Sequence, residues 1–325
     1  MRESDLVWNV VWTGGVYPHL RHFVFSLFDR TEASFRFVAN NCTPSSVEQM
    51  TALGEATDRV VETLVLDVDR MVPHGAALDL VLDARDDGPV FAFIDVDIKA
   101  LAPYTADFLH RLEDHDVVTS GVEVWTEENT LAEGEMGVGG RHFYDHDGFV
   151  FGSPHVALYD REALLDTSAR WEVGLHCGNR SEMPDRTWAR IEEMGRAKMA
   201  YDTAKVVNIM MQADGRSLVH EEHEALLHIG GVSHYLAPPE HDFATDKTSG
   251  EFEGEPKWTR FQGIELRHEI ARFTSNTLKA LSSGTVPPAI GDGLDAPTEA
   301  KLRMVRDELE SMVAASRPWL ELTGE

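Results

Sequence analysis

Cysteine is nearly absent. Cys42 and Cys177 are the only two in 325 residues, which excludes a disulfide framework and a cysteine-built metal site. Long apolar runs are missing as well: no stretch approaches the roughly 18 uninterrupted apolar residues of a membrane helix. The run from Leu6 to Trp12 is too short for a secretory leader, and it lacks a basic leader and a small-residue cleavage site. Positive charge is scarce, with 29 Lys and Arg against 56 Asp and Glu and a net charge of −27. That balance argues against nucleic acid and anionic membranes as partners. These absences lead us to expect a soluble, cytoplasmic protein with a solvated acidic surface. A nucleotide diphosphate is still admissible, because charges more than about 8 Å away are largely screened. Such a ligand needs a bridging cation at its site.

What is present is a core-forming pattern. Hydrophobic residues make up 42% of the chain, enough for one large α/β domain with additions or for two smaller ones. Strand and helix signals alternate through residues 6–120. Leu6 to Trp12 reads as a strand and is followed by the turn Thr13-Gly14-Gly15. Leu20, Phe23, Val24, Leu27 and Phe28 then recur at helical spacing. Phe35 to Ala39 is a second strand ending at Asn40-Asn41, and Pro44 opens a helix. Val60 to Leu66 is a third strand and Ala76 to Arg85 a third helix. Val90 to Ile94 is a fourth strand, followed by a helix from Thr105 to Glu113 and a strand from Val117 to Ser120. This alternation predicts a Rossmann-like, mainly parallel sheet flanked by helices, with ligands beyond the carboxyl ends of its strands.

The pattern changes after Gly121. Residues 121–148 read as a loop excursion, and Gly148–Gly152 and Val156–Tyr159 as sheet. Residues 160–200 read as mostly helical, and Tyr201-Asp202 as the start of a buried helix through Met211. A polar stretch rich in Pro and Gly follows at 238–257, then two amphipathic helices near 262–281 and 298–314. The expected organisation is a catalytic unit over 1–240, with a nucleotide-binding half to about 120 and an acceptor half beyond it. Residues 241–325 supply a linker and C-terminal helices, which form a dimer surface or cover the active site.

Asp95-Val96-Asp97 directly follows the apolar run Val90 to Ile94. Side chains alternate along a strand, so both carboxylates are expected at one mouth of the sheet. Two such groups are costly to keep ionised together. A shared hard cation, Mg²⁺ or Mn²⁺, relieves that cost and points to a phosphorylated substrate.

This order of elements resembles a GT-A-type glycosyltransferase, in which an Asp-x-Asp motif after the fourth strand holds a metal against a sugar-nucleotide diphosphate. A second motif, His228-Ile229-Gly230-Gly231-Val232-Ser233-His234, is similar to the His-x-x-Gly-x-x-Lys segment of the retaining family that includes glycogenin. His228 and Gly231 match it, and His234 stands where that family has Lys. The resemblance covers roughly residues 6–236. It implies a metal-dependent enzyme moving a sugar, by expectation a hexose, from a UDP or GDP sugar to an acceptor hydroxyl. Asp95, Asp97 and His228 are then the metal ligands, and Asp97 serves catalysis through the ion.

Further roles follow from the same resemblance. Thr13, Gly14 and Gly15 sit where the fold receives the nucleoside. Asn40 or Asn41 contacts the base or shapes a turn. His74 opens the third helix near the phosphates, where helix N-termini attract anions, and His234 donates to the diphosphate. Asp67 and Asp69 read as a loop or a ribose contact. Asp202 is the candidate base if the reaction inverts, with a helix N-cap as its structural alternative. Trp125 and Phe151 to His155 fall in the donor and acceptor region.

Other chemistries fit less well. His220, Glu221, Glu222, His223 and Glu224 do not make HExxH, since position 224 is Glu. A haloacid-dehalogenase-like phosphatase also carries Asp-x-Asp after a strand, but usually the first strand, and not with Lys at the position of Lys99. A sugar nucleotidyltransferase has an Arg-containing Gly-rich loop, whereas Thr13-Gly14-Gly15-Val16-Tyr17 offers no cation. A binding protein that keeps the fold without turnover is the remaining alternative. A homodimer is compatible with all of these.

Overall fold

The computed structural model describes residues 1–120, 138–139, 155–197, 200–220, 222–230, 232–236, 264–290 and 296–324. Its first half alternates strand and helix: β1 (Val7–Gly14), α1 (Tyr17–Phe28), β2 (Ser34–Cys42), α2 (Pro44–Ala56), β3 (Val60–Val65), α3 (His74–Ala84), β4 (Val90–Ile94), β5 (Ile98–Ala100), α4 (Thr105–Leu112) and β6 (Val117–Ser120). The second half holds β7 (Val138–Gly139), β8 (Val156–Asp160), α5 (Arg161–Trp171), α6 (Asp185–Glu193), β9 (Ala200–Tyr201), α7 (Lys205–Ala213), β10 (Leu218–His220), β11 (Leu226–His228) and α8 (Val232–Leu236). Three helices end the chain: α9 (Ile264–Ser282), α10 (Ala296–Ala315) and α11 (Arg317–Leu322).

Seven strands form one sheet in the order β10-β6-β8-β4-β1-β2-β3. Neighbours run parallel except at β8, which is antiparallel to both β4 and β6. The expected mainly parallel α/β architecture is therefore what the chain adopts. Side-chain alternation divides the core between the two faces of this sheet. Trp8, Val10 and Trp12 of β1 and Phe35 and Phe37 of β2 join α1, α9 and α10 through Phe23, Leu27, Leu278, Val305 and Leu309. Val11, Val38, Phe91 and Phe93 face the other way, onto Leu78 and Val81 of α3 and Val206 and Met210 of α7. The C-terminal helices thus belong to the same core as α1, and Trp319 stacks on Phe25 at 5.8 Å.

Two small pairings shape the mouth of the sheet. β5 pairs antiparallel with β11, setting Ile98 opposite His228. β7 pairs with β9, setting Gly139 opposite Tyr201.

Two expectations need correction. The helix read from Tyr201-Asp202 starts at Lys205, because Tyr201 is in β9 and Ala204 sits at φ 64, a left-handed conformation that a helix interior cannot contain. The Asp-x-Asp triplet is a turn joining β4 to β5, not a continuation of the strand. Leu218–His220 is an edge strand, and His220 Nδ1 lies 2.8 Å from Thr119 Oγ1. The strand expected at Gly148–Gly152, Trp125, Glu221, Gly231 and the 238–257 linker lie outside the described residues, as does most of the 121–148 excursion.

Candidate metal centre and active site

The apolar strand β4 is buried along its whole length, and its carboxyl end delivers Asp95 to the sheet mouth. Antiparallel β8 begins where β4 ends. Ile94 pairs with Val156, and the Asp95 amide donates to the His155 carbonyl at 2.8 Å. His155 is therefore placed beside Asp95 by strand register, with its Nδ1 2.9 Å from Asp95 Oδ2. The β5–β11 pairing works similarly on the other side. Ile229 N donates to the Asp97 carbonyl at 3.2 Å, and His228 Nε2 lies 3.3 Å from Asp97 Oδ1. The His155 and His228 rings are 3.9 Å apart between centroids.

Ligand atoms of Asp95, His155 and His228 all lie within 4.8 Å of one another, the single such His/Cys/Asp/Glu group among the described residues. Two imidazoles and a carboxylate fit a first-row transition ion such as Mn²⁺ better than Mg²⁺, which favours all-oxygen octahedra. Asp97 stands outside that convergence, bonded to His228 and to the backbone of Val232. A carboxylate behind a ligating histidine fixes its ring and raises its basicity.

Burial pushes the Asp95 carboxyl up to about 6; Asp97 and Asp202 add to the effect, while His74 and His228 oppose it. Burial acts on Asp97 in the same sense, but there the hydrogen bond and charge of His228 outweigh it and the carboxyl stays below its ordinary value. An ionised Asp97 beside a reluctant Asp95 is the imbalance that a bound cation corrects.

His74 is the first residue of α3. Its ring packs edge-on to Phe93 at 5.9 Å, its Nε2 is 3.7 Å from Asp95 Oδ1, and its Nδ1 is 3.4 Å from Thr203 Oγ1. Asp202 precedes Thr203 and is exposed, and its Oδ1 accepts from the Thr203 amide at 2.8 Å. With α7 starting at Lys205 behind Ala204, Asp202 does not cap that helix. Asp95 and Asp97 from one turn, with His155, His228, His74 and Asp202, thus gather from five separate segments.

The other sequence candidates are placed differently. Thr13 and Gly14 end β1, where Gly14 at φ 49 takes a turn that a side chain disfavours, and its carbonyl accepts from Thr43 N at 2.9 Å. Gly15 follows directly. Asn40 is fully buried, and both ends of its amide are taken by Val72, at 2.8 and 3.0 Å. It fixes the loop that leads into α3 rather than presenting an amide to a base. His234 lies in α8; its side chain is outside the described residues. Sequence reasoning did not single out His155 as a ligand, and the only signal for it was the register of a strand whose direction the sequence does not state.

No protein-family model matches the chain, and no curated protein matches it. Solved structures do resemble it. The mannosyltransferase PcManGT from Pyrobaculum calidifontis, in complex with GDP-Man and Mn²⁺, is 14% identical with a TM-score of 0.44, over 97% of this chain and 74% of that one. Residues 1–349 of TarS from S. aureus are 12% identical with a TM-score of 0.42, over 96% and 92%. A nucleoside-diphosphate-sugar pyrophosphorylase from Vibrio cholerae is 12% identical with a TM-score of 0.42, over 70% and 97%. At such identities and scores, the functional argument rests on the residues themselves.

Proposed function

We propose that the chain is a metal-dependent GT-A-type glycosyltransferase that moves a sugar, by expectation a hexose, from a UDP or GDP sugar to an acceptor hydroxyl. The observation that carries this reading is the convergence of Asp95, His155 and His228 beyond the end of the central strand, with exposed Asp202 at its edge. Those three side chains would hold a divalent ion, which would supply Lewis-acid stabilisation for the charge on the diphosphate leaving group.

The chain's own residues do the rest. Asp97 orients His228 and keeps it a good ligand. His74 and the first turn of α3 offer an imidazole and backbone amides to phosphate oxygens. Thr13, Gly14 and Gly15 let the backbone approach the nucleoside closely. His234, in the segment after β11, is placed by sequence to donate to the diphosphate. Asp202 takes the acceptor's proton if the configuration inverts. In a retaining reaction the leaving phosphate accepts that proton, and Asp202 then lines the acceptor side.

Turnover of UDP and GDP sugars, measured with and without Mn²⁺, tests the reading. We expect metal-dependent release of nucleoside diphosphate, and a fall in kcat of roughly 10²- to 10⁴-fold in Asp202→Asn with little change in donor KM if the reaction inverts. Turnover that persists unchanged in a chelator refutes it.

A further inference from the structure

Asp79 lies on α3, about one and a half turns beyond His74, and its carboxylate does unusual duty. It accepts from Leu175 N at 2.8 Å, from His176 N at 3.1 Å, and from the His176 ring at 2.5 Å. One side chain thus grips the loop from Gly174 to Gly178. The contact requires glycine on the α3 side, where a Cβ would meet backbone, and on the loop side it leaves no room beside the clasped Asp79 and His176 side chains. A Cβ on Gly75 would sit 2.2 Å from the Leu175 carbonyl oxygen, and one on Gly174 would sit 2.6 Å from Asp79 Oδ2. The hydrogen bond to Asp79 leads the contributions that push the His176 imidazole up to about 10, so the pair is a charge-assisted one at neutral pH.

The gripped loop in turn holds the turn that carries Asp202. Ala204 N donates to the Leu175 carbonyl and Tyr201 N to the Gly178 carbonyl, both at 2.8 Å. These two bonds bracket Asp202 and Thr203. They also hold Ala204 at φ 64, a conformation that a non-glycine residue keeps only when its surroundings impose it. On the other side, α3 begins with His74, which faces both Asp95 and Thr203.

We propose that Asp79, acting through the Gly174–Gly178 loop and its His176 clasp, is a positioning residue that sets Asp202 against the Asp95 centre. The proposal rests on the functional reading above for its catalytic consequence, but its geometric content stands apart from that reading. Asp79 touches none of the metal ligands. It binds the acceptor side of the site to the helix that opens on the phosphate side, so the two halves move as one body. Asp79→Asn keeps the shape but turns one of the two acceptor oxygens into a donor, which then faces the N–H of residue 175 or that of residue 176. Glutamine at 176 keeps both backbone bonds and loses only the charged one.

Two measurements on the full chain decide it. The first is hydrogen exchange at the amides of Tyr201 and Ala204 in Asp79→Asn. We expect faster exchange there with β4 unchanged, and a smaller effect in His176→Gln. The second is a double-mutant cycle in kcat with a UDP or GDP sugar and Mn²⁺, with Mn²⁺ affinity measured alongside. Asp79→Asn is expected to lower kcat by about 10- to 100-fold, with metal affinity and donor KM within about twofold. Adding Asp79→Asn to Asp202→Asn is expected to slow the enzyme no further. Unchanged exchange at Tyr201 and Ala204 overturns the clamp whatever the activity. Faster exchange with wild-type kcat, or effects that multiply in the double variant, overturns its catalytic consequence. Wild-type kcat in Asp202→Asn instead sinks the role given to Asp202, and the exchange data then judge the clamp alone.

Discussion

Gly75→Ala should damage stability and turnover together, by amounts that follow from one contact. The added methyl group would lie 2.2 Å from the Leu175 carbonyl oxygen and 2.8 Å from His176 Cα. Both obstacles are backbone, so no side-chain rotation relieves the overlap. Ordinary contact requires the loop and α3 to separate by about 1 Å. Overpacking of this kind costs about 2–3 kcal/mol. At about 2.1 cal/mol/K per residue, 325 residues give an unfolding entropy near 0.7 kcal/mol/K, so Tm should fall by about 3 to 4 °C. The same displacement separates His74, next to Gly75, from the Asp202 turn held by that loop. A misplacement of about 1 Å costs on the order of 10²-fold in rate. Calorimetry and steady-state kinetics with a sugar nucleotide and Mn²⁺ provide the two readings. Wild-type Tm and wild-type kcat in this variant would refute the packing argument.

Two other expectations concern charge. Asp95 is an acid whose folded value is raised, so the metal-free fold loses stability as pH climbs from the ordinary value of 3.8 toward about 6. A bound cation offsets that loss above 6, and protons displace it below. Mn²⁺ should therefore raise Tm at about pH 7.5 and do little at about pH 5; equal gains at both would contradict the site. At the opposite end of the sheet, Arg36 is buried and reaches Asp87 at 2.6 and 2.8 Å, Glu62 at 2.8 Å and Asn9 at 3.1 Å. Arg36→Met leaves Asp87 without that partner and should cost about 3–5 kcal/mol, seen as a Tm lower by roughly 4 to 7 °C. In the intact network the Glu62 carboxyl is held down to about 2, chiefly by Arg85 and then by Arg36, against an opposing burial effect. Stability from that pair is present above the ordinary carboxylate value of 4.5 and is lost as pH falls toward 2. A Tm unmoved by Arg36→Met would show that the network contributes nothing.

The parallel half of the fold was legible because its periodicities are clean. β1, β2 and β4 are apolar runs bounded by Gly, Pro and Asn, and α1 carries its apolar stripe at helical spacing. What the sequence could not state was strand direction. β8 reads as four apolar residues, and nothing in Val156 to Tyr159 reveals that it runs against β4 and so brings His155 to Asp95. The His228 motif was visible in sequence, but its contact with Asp97 depends on a three-residue antiparallel pairing across 130 positions of chain, Ile98 to His228. Apolar content from Val206 to Met211 made a helix plain, while its start was misplaced because a left-handed alanine carries no compositional mark. Asn40 drew attention as a polar residue at a strand end. Its partner Val72 lies in a loop, and only the folded chain shows that both amide atoms are spent there.

The claim on which the rest depends is that a transition-metal ion sits between Asp95, His155 and His228. A crystal grown with Mn²⁺ and a nucleoside diphosphate, examined by anomalous scattering at the manganese edge, tests it most directly. One anomalous peak within coordination distance, about 2.0–2.3 Å, of a carboxylate oxygen of Asp95 and a ring nitrogen of each histidine is the predicted result. A peak elsewhere, or none at this mouth while nucleotide is bound, would contradict the account.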